Sequence, residues 1–115
     1  MTLEKGDRRT LPTSLPQEAI DGAVAEIGFD IGRIYKLERS DVTGRLLVKD
    51  VNGEIVYQDG ERFRIEKYEN IPPGLFTFAG VVPGEDEYLP VFEIPDRSGT
   101  FYMVNREDIE DFIPI

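Results

Sequence analysis

The sequence predicts a mainly β domain: a small barrel or sandwich of about six short antiparallel strands, with an amphipathic helix before them and a short helical turn after them. Three observations lead there. Apolar residues recur at period two in a series of short runs, as on strands with one wet face. Glycine, proline, asparagine and aspartate cluster between those runs, where the chain must turn. The stretches before and after the runs shift to a period near that of a helix.

Residues 1–13 are polar and aperiodic, with Lys5, Arg8 and Arg9 close together, and read as a flexible lead-in to a single domain over 14–115. A helix is expected over 14–27. Ser14 and Gln17 fit a capping box, and Pro16 sits in the first turn, where its missing donor is harmless. Ile20, Ala23, Val24 and Ile27 form one apolar stripe, and Gly28 is a natural stop. That stripe suits a cover for one end of a sheet, or a docking helix for another protein.

The barrel is expected over 31–104. Ile34, Tyr35 and Leu37 open it, and Gly44 follows in a turn. Residues 45–51 and 54–58 flank Asn52-Gly53, a strong hairpin signal, because a type I′ turn needs positive φ at both central residues. The two runs are therefore expected to pair with each other. After Asp59-Gly60, residues 61–68 alternate, with Phe63 and Ile65 on one side and Arg62, Arg64 and Glu66 on the other. Pro72-Pro73-Gly74 breaks the sheet, and residues 75–82 resume it. Residues 88–94 form a strand in which Pro90 favours an edge or a bulge, and 100–104 form the last expected strand. Over 105–113, Asn105 and Asp108 suit a cap, and Ile109, Phe112 and Ile113 return at helical spacing, so a helical turn is expected.

This order of short strands ending in a helical turn resembles the SH3-like small β-barrels over residues 31–112. The resemblance is one of general pattern and points to no specific family. Peptide-binding SH3 domains carry an acidic-aromatic cluster and a conspicuous tryptophan. This chain has no tryptophan, so their proline-peptide activity does not carry over.

Composition narrows the chemistry. With no cysteine, the sequence has neither disulfides nor thiolate metal sites, and it suits a reducing compartment. With no histidine, it has no Ser-His-Asp triad, no histidine acid–base chemistry and no histidine metal site. The spacing of Asp50, Asn52, Gly53 and Glu61 misplaces the glycine of a calcium loop, so turn chemistry explains it better. No two acids stand out as a hydrolytic pair, and no serine or lysine has an activating context. No catalytic, cofactor or metal residue is assigned. The chain is expected to be non-catalytic and, lacking a long apolar run, cytoplasmic and off the membrane.

The net charge of −10 is uneven. Residues 1–49 sum to zero and 50–84 to −3, while 85–115 hold nine acids against Arg97 and Arg106, giving −7. Acidic charge of this kind keeps a protein soluble, steers a basic protein and disfavours nucleic acid on the same face. An aromatic patch with an acidic rim is expected from Glu85, Asp86, Glu87, Tyr88, Tyr102, Glu107, Asp108, Glu110 and Asp111, with the two tyrosines half exposed. The expected role is a protein-interaction module, an inhibitor or adaptor for a basic partner. Nucleic-acid mimicry of the kind found in phage counter-defence and toxin-immunity proteins is its sharper form. The alternative is a structural subunit of a larger assembly, with self-association through the helix stripe and an edge strand.

Overall fold

A computed structural model describes residues 16–57, 60–97 and 99–115. The lead-in expected over 1–13 and the Ser14 cap lie outside them. Helix α1 spans Gln17–Ile27, with Pro16 at its N-cap and no side-chain bond there. Its stripe behaves as the spacing predicts: Ile20, Ala23 and Ile27 are buried. Gly28 ends it in the left-handed region, at φ 81°, with its N–H on the Val24 carbonyl.

Eight strands follow among the described residues: β1 (Ile34–Leu37), β2 (Thr43–Lys49), β3 (Ile55–Val56), β4 (Arg62–Asn70), β5 (Gly74–Pro83), β6 (Tyr88–Glu93), β7 (Phe101–Met103) and β8 (Phe112–Pro114). They form one antiparallel sheet in the order β3-β4-β2-β7-β6-β5-β1-β8, with no ladder among the described residues closing its two ends. The sheet buries both faces. On one, α1 covers Tyr35, Phe76, Phe78, Val81, Phe92 and Phe112. On the other, β3 and β4 curl over Leu47, Val82, Val91 and Phe101 until β3 packs on β5. The Tyr57 hydroxyl there donates to the Ala79 carbonyl.

Two bulges make this double burial possible. In β5 the register skips Ala79, and Gly80 takes φ 134°. The side chains thereby change parity: Phe76 and Phe78 face α1 before the bulge and Val81 faces it after. In β4 the register skips Glu66 opposite Leu46 and Leu47.

Several expectations are corrected. Residues 45–51 and 54–58 do not pair with each other: β2 pairs with β4 and β7, and β3 returns on the far side of β4. The turn at Asn52-Gly53 is not type I′, since Gly53 is absent from the positive-φ glycines. Asp50 organises it instead, its carboxylate accepting from the Asn52 N–H at 2.9 Å and its carbonyl from the Gly53 N–H at 2.8 Å. Glycine is required there by proximity, because a Cβ would lie 2.3 Å from the Phe63 carbonyl oxygen.

Pro90 sits on an interior strand, not an edge or a bulge. Its carbonyl accepts from the Val104 N–H at 3.1 Å, just past the end of β7, so this pair keeps one of its two ladder bonds and the proline forgoes only the return bond. The last segment forms a 3-10 helix over Arg106–Asp111 and then β8, which puts Phe112 and Ile113 on a strand and not on a helix face. Stacking of Phe112 on Phe92 at 4.1 Å draws the backbone out straight against β1. The Asn105 side chain makes no cap; its carbonyl accepts the Asp108 N–H.

Candidate functional site

The acidic residues lie where α1, the β5–β6 turn and the 3-10 helix meet. Gly84 closes that turn tightly, its N–H on the Glu87 carbonyl at 2.7 Å, and this leaves Glu85, Asp86 and Glu87 exposed at the tip. Arg106 ties the three elements together. Its guanidinium donates to the Tyr88 carbonyl at 2.9 Å and to Glu26 of α1 at 2.8 Å, with Glu87 at 3.5 Å. An open groove of about 330 Å³ runs beside it, floored by Ala19, Gly22 and Ala23 and walled by Asp86, Glu87 and Tyr88.

A second arginine serves the other end of the 3-10 helix. Arg39 donates to Asp41 at 2.6 and 2.9 Å and reaches Asp111 at 3.3 Å. These carboxylates hold the Arg39 guanidinium above its ordinary pKa, and Arg39 in turn lowers that of Asp41. Asp108 lies between the two anchored ends, with its carboxyl raised. Burial is the first cause, followed by the charges of Glu107 and Asp111, with Asp41 adding and Arg39 opposing. The fold thus disfavours the charged form of Asp108 relative to the open chain.

Eight of the nine expected residues thus sit on two connected elements. Glu85, Asp86, Glu87 and Tyr88 are tied through Arg106 to the helix that carries Glu107, Asp108, Glu110 and Asp111. Tyr88 is half-buried against the core below α1.

Tyr102 does not join them and is not half exposed: it is 3% exposed, in the core. Its ring crosses β2 beside Gly44, where a Cβ would lie 3.2 Å from Tyr102 Cδ1 and 2.7 Å from Ile71 Cδ1. The hydroxyl reaches Glu69 of β4 at 2.5 Å. The phenol is pushed up from 10.0 to about 12, by burial first and then by that bond and the carboxylate's charge. Glu69 is lowered, first by the same bond and then by Lys67. The folded chain keeps a proton that the unfolded chain releases above pH 10.0, so stability is lost as pH climbs from there toward about 12. Tyr102→Phe should lose about 1.5 kcal/mol at neutral pH, yet show a flatter alkaline limb in denaturant melts. A limb as steep as the parent's would place the titration elsewhere.

Four residues that organise the site escaped the sequence reading: Glu26, Arg39, Asp41 and Arg106. For Arg106 the signal was present, since a lone cation inside an acidic run is well placed to pin it. Arg39 and Asp41 lie some 70 positions from Asp111 (|i−j| = 72 for Arg39), and nothing local connects them. Among the described residues no group of three or more histidine, cysteine, aspartate or glutamate side chains is placed to hold a metal ion, and no helix is long and apolar enough to cross a membrane. Compared with protein-family models, curated proteins and solved structures, the chain matches none.

Proposed function

We propose that this chain is a non-catalytic protein-interaction module, an inhibitor or adaptor, that holds a basic protein against the ground formed by the β5–β6 turn and the 3-10 helix. The observation that carries this reading is the seating of Asp41 and Asp111 on Arg39 beside Glu107 and Asp108, where burial first, and then the charges of Glu107 and Asp111, raise the Asp108 carboxyl. A carboxylate whose charged form the fold disfavours, as at Asp108, is expected where a partner supplies the missing cation. The exposed Glu85, Asp86, Glu87, Glu107 and Glu110 extend the same sign outward and favour fast, salt-sensitive encounter. Mimicry of nucleic-acid charge is the sharper form of this role. The small-barrel resemblance enters as architecture alone, with no peptide-binding role attached.

Reversing Glu107, Asp108, Glu110 and Asp111 to lysine should abolish capture of the partner from host lysate. Capture by the parent should fade in high salt, where the Debye length falls from about 10 Å at 0.1 M to about 3 Å at 1 M. Capture that survives both changes would overturn the acidic-face reading.

A second reading, a subunit of a larger assembly, is favoured by one observation: Ile34, Leu75, Ile113 and Ile115 stand 45–68% exposed on the sheet. It predicts association that resists salt and is visible by sedimentation.

A further inference from the structure

The exposed residues belong to one face. Lys36 of β1 is paired with Leu75 of β5 on one side and with Ile113 of β8 on the other, so all three point the same way. Ile34 and Ile115 share that direction two residues along. This is the face that β3 and β4 cover farther along the sheet; at the start of β5, at β1 and at β8 the cover runs out. The bare part forms an open groove of about 550 Å³ lined by Leu75, Ile113 and Ile115, with Lys36 between Leu75 and Ile113 and Glu38 two residues along the chain from it. Exposed apolar side chains gathered about a paired lysine make a surface on which an apolar partner can seat.

Two features define the occupant. The outer edge of β8 cannot accept a further strand. The Ile115 N–H points inward to the Ile34 carbonyl at 3.4 Å, so alternation turns Phe112 and Pro114 outward. Pro114 has no N–H, and that of Phe112 is taken by the Ile109 carbonyl. An incoming strand would find acceptors and no donor, so the face must be read by side chains, as a helix reads a groove. Charge supplies the second feature. The 3-10 helix runs straight into β8 at this edge of the sheet, with Ile109 packed on the α1 side and Glu107 and Glu110 exposed. The groove itself adds no net positive charge, because Lys36 within it is paired with Glu38 at 3.5 Å. A second copy would bring another −10 to the same ground.

We infer that this face seats an amphipathic helix of the partner, with its apolar stripe over Leu75, Ile113 and Ile115 and its basic flank toward the 3-10 helix. The inference rests on the basic-partner reading above and adds the apolar anchor to it.

The test is amide-shift mapping on the full chain with three probes: a short leucine–lysine amphipathic helix, its leucine–glutamate counterpart, and oligolysine without an apolar stripe. The leucine–lysine helix should move Ile34, Leu75 and Ile113 together with residues 107–111, and Leu75→Glu should weaken it about tenfold or more. Leu75 is 47% exposed, so that variant keeps its fold, and Ile113→Glu, 48% exposed in the parent, repeats the test independently. Equal binding of the leucine–glutamate helix overturns the charge argument. If both peptides with lysine move only residues 84–88 and 106–111, the anchor is wrong and the acidic-face module stands. If oligolysine moves nothing there, the module itself fails. Concentration-dependent dimers abolished by Leu75→Glu would make a second copy the occupant and overturn the inference.

Discussion

Phe92→Ala should lower stability by about 4 kcal/mol, the largest single-residue loss expected in this chain, and drop Tm by on the order of 15 °C. Phe92 is 0% exposed and lies where three parts of the fold converge. Its ring stacks on Phe112 of β8 at 4.1 Å and 9°, and meets Phe78 of β5 edge-on at 5.5 Å. It also meets Phe29, just past α1, at 6.0 Å and Tyr35 of β1 at 6.4 Å. Alanine would leave a cavity whose walls come from separate strands and cannot collapse together. It would also release the ring that draws Phe112 into β8. Phe92→Leu keeps most of the volume and loses the stacking, so its expected loss is about 1.5 kcal/mol. Denaturant melts of both variants make the comparison, and equal losses would show that aromatic geometry, not filled volume, holds the site.

Gly53→Ala should cost about 3 kcal/mol for one added methyl group. Its Cβ would stand 2.3 Å from the carbonyl oxygen of Phe63, 2.5 Å from the carbonyl carbon and 2.9 Å from the nitrogen. All three are backbone atoms of β4, held by the ladders to β2 and β3, so no side chain can swing aside. The turn would have to lift off β4, carrying β3 and the Tyr57–Ala79 bond with it. Gly22→Ala is the contrasting case. That glycine is exposed in the middle of α1 with nothing within 4 Å of the added carbon, so alanine should stabilise by about 1 kcal/mol. A neutral Gly53→Ala would place the turn farther from β4 than the structure does.

Much of the fold was legible in local pattern. The α1 stripe, the Gly28 stop and the strand runs from β1 to β7 follow from periodicity and turn residues, which act within a few positions. Two strand errors have one cause, which is that pairing is not a local property. Asn52-Gly53 looked like a hairpin turn, but Phe63 lies close enough to claim the glycine, and β4 came between β2 and β3. Pro90 looked like an edge residue because it has no N–H to give a ladder. On its interior strand only one bond is forgone, at the frayed end of β7, where the Val104 N–H still bonds the Pro90 carbonyl.

The candidate site divides in the same way. The sequence by itself determined the sign and the address of the charge: −7 over residues 85–115, with the β5–β6 tip and the helix before β8 as its carriers. It also determined what chemistry the chain lacks, since no fold can supply a histidine or cysteine that is not encoded. Only the tertiary structure decided which acids share a surface. It tied Glu26, Glu87 and Arg106 together, set Asp41 and Asp111 on Arg39, and withdrew Tyr102 into the core to meet Glu69. It alone left Ile34, Leu75 and Ile113 uncovered. The physical reason is range: alternation fixes which way a side chain points from its own strand, while burial depends on which distant segment is packed on that face.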